Sequence, residues 1–177
     1  MKFDADSVVP FPRDVVFRAY RDELHRALPY MPNVRAIEVR SQEEIEPGVW
    51  RFTRVWTAGG DIPAPLRGFL PEGVLRWDDD ALWSEKSWTS EWDIRTHLFT
   101  EAIRCSGRTL IVEIGADRTR VEMHGDLQLD YKKIANLPEL VAMPLVRTTE
   151  SYLTRQITAN LASTADAITR YLREKRA

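Results

Sequence analysis

From Val146 onward, Val146, Leu153, Ile157, Leu161, Ile168 and Leu172 fall on a single apolar stripe at helical spacing. A helix over Arg147–Lys175 holds 29 residues and reaches about 43 Å at 1.5 Å per residue. Arg170, Arg173, Lys175 and Arg176 near its end complement the helix dipole. Pro138 and Pro144 mark a preceding helical turn and a kink. A helix this long with one apolar stripe must lie along an extended apolar surface. The rest of the chain has to supply it.

Most of the preceding residues alternate with a period of two, as strands do. Lys2–Val9 sets Phe3, Ala5, Ser7 and Val9 against Asp4 and Asp6. Pro10 and Pro12 end that strand, and Pro12 is tolerated in the first turn of a helix. Arg13–Leu28 then carries Val16, Ala19, Tyr20, Leu24, Ala27 and Leu28 in an amphipathic pattern that stops near Pro29 and Pro32. Further strands are expected at Val34–Ser41, Val49–Ala58, Val74–Trp77, Leu82–Ile94, Phe99–Cys105, Thr109–Ile114 and Thr119–Leu129. Pro47-Gly48, Gly107 and Gly115-Ala116-Asp117 supply turns. Spacing this short suits antiparallel pairing, because parallel strands need longer crossovers. Ala58–Gly73 is too broken by proline for a regular element, and Asp78-Asp79-Asp80 reads as a solvated turn. No repeat or linker divides the chain, so residues 1–177 are read as one domain.

Composition narrows the function classes. At 44% hydrophobic and 29% charged the chain is ordinary for a globular protein, and its net charge of −2 gives no broad electrostatic case for nucleic acid. No apolar run reaches the roughly 18–20 residues of a membrane span, and MKFDADSVV has no apolar signal core. A single cysteine, Cys105, forbids an intrachain disulfide and suits a reducing compartment, so cytoplasm is the expected location. The histidines and the cysteine lack metal-ligand spacing, and GxSxG, P-loop, GxGxxG and HExxH are all absent. Neither a metal nor another cofactor is expected.

The stretch VVPFPRDVVFRAYRD (Val8–Asp22) joins a strand, a proline corner and a helix carrying the Val16-Phe17 pair. It resembles the opening of the START-like, birch-pollen-allergen-like superfamily, which includes polyketide cyclase-like chains. TRVEMHGDLQLD (Thr119–Asp130), followed by a C-terminal helix, is similar to that family's ending. The resemblance implies an α+β helix-grip fold: a curved antiparallel sheet of about seven strands wrapped on the long C-terminal helix, with a cavity between them. The alternation above yields seven or eight strands, where the family usually shows six or seven. Members bind lipids, sterols, polyketides and other apolar molecules, and some are cyclases, hydrolases or co-chaperone-like modules.

Parity selects the residues that face such a cavity. Trp50, Phe52, Arg54 and Trp56 share one face of Val49–Ala58, and Trp88, Ser90, Trp92 and Ile94 share one face of Leu82–Ile94. Met123, Leu127 and Tyr131 join from the last strand, with Val121 and Leu129. Each ring on its own is as well explained as core filling; together their breadth favours an apolar pocket. Arg54 falls between Phe52 and Trp56, and Glu101 between Phe99 and Ile103. A buried charge is costly unless paired. Arg54 and Glu101 are therefore expected either to pair inside the cavity and orient a ligand's polar end, or to snorkel from strand ends. His97 is an acid–base candidate at the cavity mouth or a solvated residue. Ile62, Leu66, Phe69 and Leu70 read as a cover over the opening or as a fixed loop.

The expected function is binding or transport of a small hydrophobic or amphipathic ligand, with Phe99 and Glu101 among the contacts. The alternatives are a cyclase-, dehydratase- or hydrolase-type enzyme using Arg54, Glu101 or His97, and an interaction module with a collapsed cavity. In the last case the apolar Ile62–Leu70 segment docks a partner, a homodimer being the simplest form.

Overall fold

The computed structural model describes residues 1–59, 75–97, 100–130, 133 and 139–176, the last stretch with side chains mainly from 159 on. In chain order it has β1 (Lys2–Val9), α1 (Arg13–Asp22), a 3₁₀ stretch (Leu24–Tyr30), β2 (Val34–Glu46), β3 (Val49–Ala58), β4 (Arg76–Ser84), β5 (Thr89–Thr96), β6 (Ile103–Gly115), β7 (Arg118–Leu129) and α2 (Glu139–Arg176). The seven strands make one sheet in the order β1-β7-β6-β5-β4-β3-β2. Every adjacent pair is antiparallel, with β1 brought back beside β7. The architecture is the expected helix-grip one.

Element boundaries depart from the expected ones where local pattern and long-range pairing disagree. The amphipathic run after Pro12 breaks at Glu23, so α1 ends at Asp22 and a 3₁₀ stretch carries the chain past Pro29. Leu82–Ile94 is two strands rather than one. The chain reverses at residues 85–88, and Trp88 sits in that turn with φ 56°. Such a left-handed backbone is uncommon for a bulky residue, and it removes Trp88 from the alternation of β5. Asp78-Asp79-Asp80 is not a solvated turn but the middle of β4, paired with Val55, Arg54 and Thr53. Gly107 is not a turn either. It lies inside a continuous β6, opposite Gly125 of β7. Eight expected strands thus become seven. The terminal helix begins at Glu139, ahead of the expected Arg147, and runs 38 residues through Pro144.

Both glycines have a steric cause. A Cβ at Gly107 would lie 2.3 Å from the His124 carbonyl oxygen and 2.4 Å from the Trp92 ring, and one at Gly125 would lie 2.2 Å from the Phe3 ring. Two aromatic rings lie flat on bare backbone here, a close approach only glycine permits in a strand. The rings stack on each other, centroids 6.3 Å apart.

The main core joins α1, the 3₁₀ stretch, the sheet and the end of α2. Val16 and Phe17 are buried, and Phe17 meets Trp83 edge-on at 5.4 Å. Of the C-terminal stripe, Ile168 and Leu172 are buried, as helical spacing requires; the side chains of its other members lie outside the described residues. Tyr171 and Lys175 of α2 both hold the Glu23 carboxylate, Lys175 at 2.7 Å, which ties the helix to the α1–3₁₀ junction. Along free edge β2, Glu38, Arg40, Glu43, Glu44 and Glu46 are exposed and the register shifts at three places. Charge and irregularity are common protections of a sheet edge against pairing with another chain.

Candidate functional site

Antiparallel register turns the inner face of the sheet into cross-strand rows. One row runs Trp56–Trp77–Thr96 across β3, β4 and β5. The next is Arg54–Asp79–Ile94–Cys105–Leu127, from β3 to β7. Then comes Phe52–Ala81–Trp92–Gly107–Gly125–Phe3, ending on β1. The last is Trp50–Trp83–Ser90–Thr109–Met123–Ala5. The small residues Ala81, Gly107, Gly125, Ser90 and Ala5 recur through the centre of this grid. Gly107 and Gly125 make way for the Trp92 and Phe3 rings, while Ala5, Ala81 and Ser90 leave room that larger side chains would fill.

The room is a cavity of about 230 Å³. Its floor comes from these rows, and Tyr20, Leu24 and the α2 residues Asn160 and Thr164 close it from the other side. The interior is hollow between sheet and C-terminal helix. Most of its lining is aromatic or aliphatic, the usual character of small-molecule sites.

Among the described residues, Arg54 and Asp79 are its buried charges. They face each other across β3 and β4 with Nη1 3.5 Å from Oδ2, side chains 3% and 14% exposed. Arg54 Nη2 also donates to the Arg21 carbonyl oxygen. Asp79 Oδ2 further accepts from Trp56 Nε1 at 3.3 Å. Burial pushes the Asp79 carboxyl above its ordinary value while Arg54 pulls it down; burial likewise lowers Arg54 against the pull of Asp79. The pairing sits in low dielectric, where each charge needs the other. Asp6 also borders the cavity, but it is exposed and alternates with the inward Ala5 and Ser7, so its carboxylate belongs to the outer face.

Several polar groups along the wall are neutral. Trp92 Nε1 donates to Thr109 Oγ1 at 3.1 Å. Ser90 Oγ, Trp83 Nε1 and Asn160 Oδ1 are buried without a hydrogen-bond partner among the described residues. Buried groups of this kind usually have a partner, protein or otherwise. Burial, with Asp93 and Asp126 adding, pushes the Cys105 thiol up to about 12, so it is a neutral wall group rather than a nucleophile. Burial raises the Tyr20 hydroxyl as well, reinforced by Asp166, and keeps it protonated.

Of the residues singled out by parity, Arg54, Trp56, Ser90, Trp92, Ile94, Val121, Met123 and Leu127 border the cavity. Trp50 and Phe52 share the inner face but pack in the core beside Arg21 and Arg54, whose guanidinium carbons lie 5.2 Å and 4.6 Å from the respective rings. Trp88, displaced by its turn, packs edge-on against Phe17 at 5.3 Å with Arg13 over its ring at 4.4 Å. Glu101 is exposed in the turn before β6, so of the two expectations for Arg54 and Glu101 the pair does not form and Glu101 reaches water. Cross-strand register gives Arg54 to Asp79 instead. His97 pairs with Asp78 at 2.9 Å, both partly exposed, and Asp78 alternates with inward Asp79. Phe99, Tyr131 and Ile62–Leu70 lie outside the described residues.

The sequence reading missed the inner face of β4, Trp77, Asp79, Ala81 and Trp83. Its alternation is present in RWDDDALWS, but three consecutive aspartates hide it. Phe3, Cys105 and Thr109 were also legible by parity, whereas Asn160 sits on a helix face that only packing selects.

No protein-family model and no curated protein matches the sequence. Solved structures do match. The aromatase/cyclase Zhui from Streptomyces sp. R1128 superposes with a TM-score of 0.65 at 14% identity, covering 100% of this chain and 96% of that one. Major latex-like protein 151 from Panax ginseng gives 0.61 at 12%, covering 97% and 96%. Norcoclaurine synthase from Thalictrum flavum, solved as a point mutant with a transition-state analogue, gives 0.57 at 14%, covering 100% and 96%. Among the described residues no helix is long and apolar enough to cross a membrane. A seven-stranded antiparallel sheet with a long C-terminal helix, matched over nearly the whole chain by these structures, gives this chain the helix-grip fold that they share.

Proposed function

We propose that residues 1–177 act as one unit that binds or carries a small hydrophobic or amphipathic molecule, lipid- or polyketide-like, between the sheet and the C-terminal helix. The observation that carries this is the 230 Å³ hollow with an aromatic and aliphatic wall and the buried Arg54–Asp79 ion pair. Trp56, Trp92, Met123 and Leu127 supply apolar contact, and the Arg54–Asp79 pair meets the ligand's polar end. The test is native mass spectrometry of purified protein for a copurified small molecule, together with titration by the neutral dye Nile red. One dye per chain, displaced by the extracted molecule, supports the reading; absence of both copurified molecule and dye binding sinks it.

One observation favours a second reading, an enzyme of the cyclase or dehydratase kind. Asp79 is a carboxyl in an apolar cavity whose proton affinity burial has raised, a common setting for a general acid or base. The neighbours named as an aromatase/cyclase and as norcoclaurine synthase are enzymes on the same fold. Turnover of a bound ligand that Asp79→Asn abolishes while binding persists would move the assignment to this reading.

A further inference from the structure

The charges in the cavity set a rule about what can enter it, if the cavity does bind a ligand as proposed above. Arg54 is committed. Its Nη1 faces Asp79, its Nη2 donates to the Arg21 carbonyl, and the side chain is almost wholly buried. With both terminal nitrogens engaged, it has no unengaged pair of Nη atoms for a ligand carboxylate, which arginine otherwise binds through two parallel bonds. Asp79 is differently placed. Both of its contacts, from Arg54 Nη1 and Trp56 Nε1, fall on Oδ2, so Oδ1 is the acceptor that the pair presents. The Trp56 and Trp77 rings lie next to it on the same face, stacked 5.8 Å apart and 15° from parallel. The remaining wall groups in want of a partner among the described residues, Ser90 Oγ, Trp83 Nε1 and Asn160 Oδ1, are neutral.

We propose that the Arg54–Asp79 pair makes this cavity select an uncharged planar molecule bearing a hydroxyl donor, and reject carboxylates of the same shape. The hydroxyl donates to Asp79 Oδ1 while the ring lies against Trp56 and Trp77. A carboxylate loses on two counts. Its water is stripped without a new counter-charge, and it meets the charge of Asp79 at low effective dielectric. A free fatty acid is thus a poor occupant despite its apolar tail. A hydroxylated aromatic compound is a good one. The raised proton affinity of Asp79 agrees with a carboxylate that has no surplus positive charge around it.

The experiment compares 2-naphthol with 2-naphthoate at neutral pH, one ring system with two charge states, by tryptophan quenching and calorimetry. Wild type should bind 2-naphthol about tenfold or more tightly, as like charges at low dielectric demand. Asp79→Asn keeps the shape and an acceptor oxygen but leaves the Arg54 charge uncompensated, so the order should reverse in favour of 2-naphthoate. Arg54→Met with Asp79→Leu removes both charges and should erase the effect of Asp79→Asn. Equal affinities in wild type, or an order that Asp79→Asn leaves unchanged, overturn the selection rule. If Asp79→Asn does not fold, the wild-type comparison alone decides. Nile red binding without discrimination between the naphthalenes removes this rule and leaves the cavity reading in place. Failure of wild type to bind Nile red or either naphthalene removes both.

Discussion

Gly125→Ala should destabilise the protein, and removing the Phe3 ring should turn that loss into a gain. The new Cβ would sit 2.2 Å from Phe3 Cζ, with two further ring carbons at 2.7 and 2.8 Å. Ordinary contact is near 3.5 Å, so the ring must move by roughly 1.3 Å. Phe3 is 8% exposed and stacked on Trp92, which leaves little room to do so. Overpacking of this kind costs about 1–3 kcal/mol. In a Phe3→Ala background the three clashing atoms are gone. Alanine then keeps its advantage over glycine in a strand, about 0.5–1 kcal/mol from the smaller entropy of the unfolded chain. The sign should therefore flip between backgrounds, with a coupling energy of about 1.5–4 kcal/mol. Urea unfolding of the four proteins in the cycle, at constant m-value, measures it. An equal cost for Gly125→Ala with and without the Phe3 ring would refute the claim that the ring is why glycine stands there.

Other perturbations follow from the same geometry. Asp79→Ala strands the Arg54 charge and should cost about 3–5 kcal/mol, whereas Arg54→Met with Asp79→Leu should recover most of it, read by chemical denaturation. Burial raises the folded-state Asp79 carboxyl above 3.8, so the folded chain holds that proton more tightly than the unfolded chain does. The resulting stabilisation is full below 3.8 and lost as pH rises through the raised value; Asp79→Asn should flatten that part of the stability–pH curve. Glu23 behaves oppositely. Burial opposes it, but the bonds from Lys175 and Tyr171 hold its carboxyl below 4.5, so its contribution is present above 4.5 and lost as pH falls through the lowered value. Glu23→Gln should remove that acid limb and cost about 1 kcal/mol. Cys105, with its thiol pushed up to about 12, should resist an aromatic disulfide reagent at pH 8 in the folded protein and react fully in urea.

Alternation within a strand is a local property, and it was readable. Trp56, Arg54, Trp92 and Ile94 face inward because side chains two residues apart must share a face, whatever the strand pairs with. The stripe that buries Ile168 and Leu172 is local in the same sense. Register is not local. That Arg54 meets Asp79 rather than Glu101, that Gly107 and Gly125 lie opposite each other under two rings, and that Trp88 leaves the aromatic face at a turn all depend on how separate strands align. Alignment is chosen by the packing of the whole inner face against the helices, because a one-residue slip would turn every inward side chain outward. Residue order alone therefore determined which side chains could look into a hollow, and the assembled sheet decided which of them meet there and that the hollow stays open.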